Sequence, residues 1–216
     1  GQHQQIGLVA CASVEEYKKN IIKKHELTRP EKEDDRVNHI NHLNAQVGPV
    51  FLTYQADEQI DQFMRQITEE PPEYDFIGND GVRHVLWVVH NSEDIKNIQQ
   101  AFGKIDYLYV ADGHHRSAAA MRVQEMREAD NPHHSGDEEY NFFLVVIFPH
   151  NQMQILDYNR IVKDLNGLSG EEFLQTLNAN FLVNKIKGNQ SKKPEETHQL
   201  SLYLNGQWYQ LIARDG

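Results

Sequence analysis

A strand passes directly into a helix in the segment Leu108-Tyr109-Val110-Ala111-Asp112-Gly113-His114-His115-Arg116-Ser117-Ala118-Ala119-Ala120. The apolar residues at 107–111 predict a buried strand, and the alanine-rich stretch 117–129 predicts a helix. A helix that begins where a strand ends points its unpaired backbone N–H groups, and the positive end of its dipole, at the space above the sheet edge. Residues 112–116, which we call the corner, are therefore predicted to bind an anion.

The side chains of the corner suit a phosphate. Arg116, in the first helical turn, can form a bidentate, charge-assisted clamp, and His114 and His115 add donors whose charge changes near neutral pH. The small residues 118–120 allow the helix to approach the sheet closely. The residues alone also fit an ordinary strand–loop–helix connection with solvated histidines.

Helical and β segments intermix along the rest of the chain without strict alternation. This mixture predicts an α+β fold, a mixed sheet with helices packed on it. We place a first domain at residues 1–130 and a β-rich extension at 131–216, and we expect 130–139 to be a mobile loop because that stretch is polar and aperiodic. Predicted strands cover residues 6–11, 50–54, 74–77, 82–90, 107–111, 140–148, 152–156, 181–186, 200–204 and 208–212. Asp80-Gly81 and Asn205-Gly206 predict tight turns of two hairpins, β-branched and aromatic residues mark the strand at 50–54, and Ser169-Gly170-Glu171-Glu172 predicts the start of a helix.

The composition of the 216-residue chain excludes several classes of protein. Its longest apolar run, 142–148, is too short to span a bilayer, so we expect no membrane partner. A net charge of −11 argues against binding duplex nucleic acid. Cys11, the single cysteine, rules out an intramolecular disulfide, is expected in the core, and suits a reducing, cytoplasmic location. Residues 1–5 include no initiator methionine, so we expect the natural protein to extend further.

A carboxylate suited to proton transfer lies at Glu26. It precedes the predicted start of a helix, where Thr28 and Glu31 form a capping-box pattern and the helix runs to about residue 45. A carboxylate near a phosphate can take a proton from a substrate hydroxyl or orient a divalent ion. Arg36 could contact a ligand from that helix, although the charged run 31–35 also fits a solvated helix face.

A metal site is conceivable on the same helix. Asp35, His39 and His42 are spaced to share one face, whereas the neighbouring Asn38 and Asn41 favour a plain solvated surface. We therefore assign no metal ligand. A metal-dependent hydrolase that uses these residues or the corner histidines is kept as an alternative.

Several motifs resemble the bacterial family known as domain of unknown function 1015. They follow one another over nearly the whole chain as Lys24-His25-Glu26-Leu27-Thr28, Asp35-Arg36, Gly48-Pro49-Val50-Phe51-Leu52, Gly81-Val82-Arg83-His84-Val85-Leu86-Trp87, Ala111-Asp112-Gly113-His114-His115-Arg116 and Tyr158-Asn159-Arg160. Family members carry a Pro-Pro-Tyr-Asp signature before this region and a Pro-Pro-Lys-Ser pattern after it, and neither occurs here. The resemblance implies that the chain is a middle portion, with a ligand site shared with the missing parts.

The corner is also similar to the nucleotide-handling corner of the ParB/sulfiredoxin-like superfamily, in which a Gly-x-x-Arg turn at a helix start holds nucleotide phosphates. That superfamily includes kinases of free serine. The resemblance implies a ParB/sulfiredoxin-like core and a nucleotide-dependent phosphotransferase that acts on a small hydroxyl-bearing metabolite, with free serine as one candidate. A non-catalytic nucleotide-binding regulatory module is the main alternative.

The resemblance also implies roles for individual residues. Magnesium with ATP or ADP would be the cofactor, and the expected partners are this nucleotide and a small-molecule substrate. Glu26 would be the general base and His115 a second catalytic residue, while His25, Thr28 and Arg160 would bind the substrate. The residues expected to bind phosphate or nucleotide are Arg36, Asp112, Gly113, His114, His115 and Arg116.

Overall fold

The computed structural model describes residues 3–188 and 192–214. The chain divides into two compact units, Gly1–Ile155 and Leu156–Gly216. This boundary lies later than the predicted one after residue 130, because the strand at Phe142–Pro149 belongs to the interior of the sheet of the first unit.

The first unit contains β1 to β7 and α1 to α5. Its strands are β1 (Leu8–Ser13), β2 (Ile22–Lys23), β3 (Val50–Tyr54), β4 (Tyr74–Ile77), β5 (Arg83–Leu86), β6 (Leu108–Asp112) and β7 (Phe142–Pro149). Its helices are α1 (Val14–Lys18), α2 (Pro30–Leu43), α3 (Glu58–Glu69), α4 (Ser92–Phe102) and α5 (His114–Asp130), with short 3₁₀ turns at Glu139–Asn141 and His150–Gln152.

A five-stranded mixed sheet organises the first unit, with the strand order β1-β7-β3-β6-β2. β1 runs antiparallel to β7, β7 parallel to β3, β3 antiparallel to β6, and β6 parallel to β2. The predicted α+β class with a mixed sheet and packed helices is confirmed. Because β6 lies inside this sheet and leads straight into α5, the corner is anchored to the core of the unit.

One face of the sheet supplies the core. Strand alternation buries Val50, Leu52 and Tyr54 on β3 and, in the same cluster, the odd-numbered residues 143–147 of β7. Side chains of α1, α3, α4 and α5 join this cluster. Burying an aliphatic or aromatic side chain of this kind contributes about 1.5–3 kcal/mol, so the helices are held against that face.

Helix α5 also packs against α2. Val37 of α2 meets Ala119 and Val123 of α5, and Ala119 is fully buried. Across the same contact Arg122 pairs with Glu33 at 3.3 Å and with Asp34 at 2.7 Å. This packing fixes the start of α2 near the start of α5.

Strands β4 and β5 form a separate two-stranded hairpin, as predicted, although β5 ends at Leu86 rather than at residue 90. Gly81 in the turn has a φ of +79°, which favours glycine. Arg83 binds both oxygens of Asp75 across the strands. Every residue of β4 is exposed, so the hairpin stands apart from the core.

The second unit contains α6 (Gly170–Leu177), β8 (Phe181–Lys185), β9 (Gln199–Leu204) and β10 (Gln207–Ala213). The strands form an antiparallel sheet in the order β8-β10-β9. Ser169 and Glu172 form a capping box at the start of α6. Asn205 and Gly206, with φ of +49° and +79°, make the predicted tight turn.

Two predictions about the strands differ from the structure. Residues 152–156 form no strand, and Cys11 is exposed, because the alternation of the edge strand β1 buries Ala12 instead.

The loop after α5 contains a hydrogen-bonded network around Glu138. Backbone N–H groups, that of Ser135 above all, lower the pKa of Glu138 to about 2. None of the helices in the described ranges is both long and apolar enough to cross a bilayer.

Candidate functional site

Helix α5 begins without a cap. It extends over 17 residues from His114, and it has neither a side-chain hydrogen bond at its N-terminus nor an acidic residue in its first turn. The first intrahelical bond joins the Ser117 N–H to the Gly113 carbonyl at 2.9 Å, so the N–H groups of residues 114–116 have no acceptor within the helix. The helix starts at His114, three residues before the alanine-rich stretch, so Arg116 lies in its first turn as predicted.

Two observations favour glycine at position 113. Its φ of +101° lies in a region that residues with a Cβ rarely adopt. A Cβ at this position would also lie 3.1 Å from Nε and 3.3 Å from Cζ of Arg116. Because residue 113 has no Cβ, the Arg116 guanidinium can lie directly over the backbone of this turn.

The Arg116 guanidinium is held in place by two acceptors. One terminal nitrogen donates to the Pro49 carbonyl at 2.5 Å, and the other donates to Oδ2 of Asp112 at 2.6 Å. A guanidinium has five N–H groups, so these two bonds leave donors for a ligand. The side chain is about one-third exposed (32%), which keeps it accessible.

A cleft of about 240 Å³ opens in front of the helix start. At ~30 Å³ for each water molecule, this is the space of about eight waters, enough for a phosphoryl group. The cleft brings together Glu26, Arg36 and the whole corner, which the sequence analysis predicted to act together. The lining residues are Glu26, Arg36, Asp112, Gly113, His114, His115 and Arg116.

Glu26 and His114 face each other at the side of the cleft. The Glu26 carboxylate is 60% exposed, and its Oε2 lies 3.6 Å from Nδ1 of His114, whose side chain is only 4% exposed. Burial, followed by the nearby His25, lowers the pKa of His114, so its imidazole is neutral at pH 7. Glu26 thus presents a solvent-accessible carboxylate beside a buried neutral ring.

The second histidine of the corner connects it to α2. Nε2 of His115 accepts a hydrogen bond from the backbone N–H of Arg29 at 3.2 Å. In the neutral ring the proton is then on Nδ1, which makes Nδ1 the donor. His115 is half-buried at the cleft, where it can donate to a ligand.

The three residues predicted to bind substrate lie in different surroundings. The ring of His25 packs edge-on against that of His114, with centroids 4.4 Å apart. Thr28 donates to Glu33 and does not cap α2, whose N-cap is Arg29 without a side-chain bond, so the predicted capping box is wrong. Arg160 lies in the second unit, where its guanidinium stacks over the ring of Tyr158.

The structure supplies carboxylates but no ready-made metal cage. Among residues 3–188 and 192–214, no three His, Cys, Asp or Glu side chains are grouped to hold a metal, Asp35, His39 and His42 included. Magnesium bound with a nucleotide needs only one or two carboxylates from the protein. Asp112, 75% exposed in the cleft, fits that requirement.

Two functional groups escaped the sequence analysis, and both belong to the backbone. The Pro49 carbonyl orients Arg116, and the Arg29 N–H orients His115. The only signal for the first was the motif Gly48-Pro49-Val50-Phe51-Leu52, which sequence reasoning interpreted as the end of a helix and the start of a strand. Backbone acceptors of this kind have no signature in residue type.

Comparison with known proteins identifies a family and no closer relative. Neither the curated proteins nor the solved structures include a significant match to the chain. The family model described as "Protein of unknown function (DUF1015)" matches residues 1–216. On this match over its full length, the chain belongs to the DUF1015 family.

Proposed function

We propose that this chain carries the phosphate-binding site of a nucleotide-dependent phosphotransferase that acts on a small hydroxyl-bearing metabolite, with free serine as one candidate. The observation that carries the proposal is the uncapped start of α5, which opens into a cleft with Arg116 folded over Gly113. The similarity of the corner to nucleotide sites of the ParB/sulfiredoxin-like superfamily supports the same assignment, and a core of that type is part of the proposal.

The corner would bind the phosphates. The N–H groups of residues 114–116 point along the helix dipole toward the cleft, and Arg116 and Arg36 add two positive charges. Magnesium, arriving with the nucleotide, would neutralise part of the phosphate charge, and Asp112 would hold it. These are the interactions that phosphoryl transfer requires, because its catalysis consists mainly of positioning and charge stabilisation.

Glu26 would accept the proton of the substrate hydroxyl. The substrate oxygen forms a bond to the terminal phosphorus, the bond from that phosphorus to the nucleotide oxygen breaks, and the nucleotide leaves with one phosphate fewer. The exposed carboxylate of Glu26 lies in the same cleft as the phosphate-binding groups, as this transfer demands.

A transfer assay tests the proposal. The wild-type chain is incubated with magnesium, ATP or ADP, and a panel of small hydroxyl compounds that includes serine, and the phosphorylated product is followed by ³¹P NMR. We expect transfer that falls roughly 100-fold or more in Glu26→Gln, since general-base catalysis contributes about 10²–10⁴-fold. Glu31→Gln is the matched control, because Glu31 is exposed in the first turn of α2 and does not line the cleft.

The possible outcomes separate the candidate functions. Transfer that is equally fast in Glu26→Gln and Glu31→Gln would contradict the role of Glu26. Nucleotide binding without transfer to any hydroxyl would indicate the non-catalytic regulatory module instead. Failure of every nucleotide to bind would overturn both candidates.

A further inference from the structure

Two consecutive residues of the loop between β2 and α2 contact one buried imidazole. The His25 ring packs edge-on against the His114 ring at 4.4 Å and 87°, and the Glu26 carboxylate approaches Nδ1 of the same ring to 3.6 Å. Leu27, the next residue, is 93% exposed. His114 is therefore one of the residues that this loop contacts at the cleft, beside His115, which accepts from the Arg29 N–H.

His114 is itself immobilised. It is the first residue of α5, and its side chain is 4% exposed. Its Nε2 is buried and has no hydrogen-bond partner within residues 3–188 and 192–214. A buried polar atom without a partner is uncommon in proteins, and it calls for a function or a structural reason.

The protonation of the ring follows from its surroundings. A neutral imidazole carries one N–H, and the other nitrogen has a lone pair. A proton on Nδ1 would face the negative Glu26 carboxylate. A proton on Nε2 would instead leave a buried N–H without an acceptor, and the lone pair of Nδ1 would then face the lone pairs of the Glu26 carboxylate. Orphaned buried N–H groups are rarer than orphaned acceptors, so the arrangement favours the Nδ1–H tautomer.

We propose that His114 is a positioning residue for Glu26: its Nδ1–H donates to the Glu26 carboxylate and holds that carboxylate at the edge of the cleft. This inference rests on the proposed function, in which Glu26 is the general base. The separation of 3.6 Å is longer than a hydrogen bond, and catalytic hydrogen bonds commonly shorten when a ligand closes the site. A neutral donor orients the carboxylate without removing its charge.

Two substitutions of similar size separate the two ring nitrogens. In His114→Asn the side-chain amide reaches the position of Nδ1, and in His114→Gln it reaches the position of Nε2. Because both variants retain the backbone N–H of residue 114 and lose the same ring, we expect them to bind magnesium nucleotide within about threefold of each other. We expect kcat to fall roughly 10- to 100-fold in His114→Gln, the size of loss that a misplaced catalytic group causes, and to recover substantially in His114→Asn.

Imidazole ¹⁵N NMR of the nucleotide-free protein provides a readout without catalysis and without a variant of His114. We expect the Nδ1–H tautomer for His114, and a change in its nitrogen shifts in Glu26→Ala that does not occur in Glu31→Ala. An Nε2–H tautomer, unchanged shifts in Glu26→Ala, or equal kcat values in His114→Asn and His114→Gln would each overturn the inference. Absence of nucleotide binding in the wild type would overturn the proposed function and the catalytic purpose of the contact, while the spectra would still show whether the contact exists.

Discussion

Two Arg–Asp pairs in the first unit share a closest distance of 2.6 Å and differ in their surroundings. On the β4–β5 hairpin, Arg83 uses Nε and a terminal nitrogen to bind both oxygens of Asp75, and its side chain is 66% exposed. At the corner, Arg116 gives one nitrogen to Asp112 and another to a backbone carbonyl, and its side chain is half as exposed. The better-formed ion pair is the one on the open surface.

The comparison shows that an ion pair by itself does not mark a ligand site. Arg83 donates to both carboxylate oxygens of Asp75. The described hairpin that carries this pair, β4 with β5, contains no helix N-terminus. Arg116 keeps N–H groups free beside a helix whose first N–H groups have no acceptor in the helix. Unsatisfied donors gathered in a cleft, rather than the pair, make the corner the candidate site.

Removal of each arginine gives the largest expected difference. Arg116→Ala should lower the affinity for magnesium nucleotide roughly 10- to 100-fold, because a hydrogen bond to a charged group contributes about 1.5–3 kcal/mol. Arg83→Ala should leave that affinity unchanged. Isothermal titration calorimetry measures both, and equal losses in the two variants would remove the distinction between the pairs.

A second comparison uses two glycines with positive φ, Gly113 at +101° and Gly81 at +79°. Alanine at either position should destabilise the unit by about 1–2 kcal/mol, the cost of left-handed backbone in a residue with a Cβ. Only at Gly113 would the new Cβ also press on Arg116, since, apart from its chain neighbours, no described residue lies within 4 Å of a Cβ at position 81. Chemical denaturation gives the stabilities. Phosphate titration should show a loss of affinity in Gly113→Ala alone, and a Gly113→Ala variant with wild-type affinity would contradict the role of the close approach.

Substitution of the aspartates in the two pairs should have a smaller effect on phosphate affinity, and in the opposite direction. Asp112→Asn removes a charge that competes with an anion for Arg116, so metal-free inorganic phosphate should bind roughly fivefold more tightly, since unit charges at 4 Å interact by ~1 kcal/mol in water. Asp75→Asn should have no effect. Phosphate titrations followed by NMR shifts of the α5 amides would decide this, and weaker binding in Asp112→Asn would contradict it.

The smallest expected effect is the loss of stabilisation by the Arg83–Asp75 pair of the hairpin at low pH. Hydrogen bonding from Arg83 lowers the pKa of Asp75 below its ordinary 3.8. Because the folded-state pKa is the lower one, the pair stabilises the fold above pH 3.8 and loses that contribution as the pH falls through the folded-state value. The melting temperature of Asp75→Asn should therefore lie slightly below wild type at pH 7 and converge with it in strong acid. A difference that persists or grows at low pH would show that another group is responsible.

Short sequence patterns predicted the elements whose structure depends mainly on neighbouring residues in the chain. β-branched and aromatic residues located β3, the Asp80-Gly81 and Asn205-Gly206 turns located two hairpins, and Ser169 with Glu172 located the start of α6. The failures depend on partners that the local pattern does not specify. Cys11 is exposed because β1 is an edge strand, and Thr28 is drawn from its capping position to Glu33.

The candidate site divides in the same way. The residue types at 112–116 were sufficient to predict a helix start that leaves N–H groups free, whereas Glu26 was singled out by its position before a predicted helix and received its role from the resemblance. The support behind them was not predictable, since it comes from the Pro49 carbonyl, the Arg29 N–H and the burial of His114, all brought to the corner from residues remote in the sequence. Such contacts involve backbone atoms or a change of environment, neither of which alters the identity of a residue.

The sequence alone determined that a strand would lead through a glycine into a helix whose first turn carries arginine and histidine, because these are consequences of φ preference and hydrophobic pattern over about a dozen residues. Only the tertiary structure decided which donors of that turn stay free and which carboxylate faces them. The physical reason is that hydrogen-bond satisfaction and desolvation are set by the atoms that surround a group in space, and packing of α2 and β3 against α5 brings those atoms together.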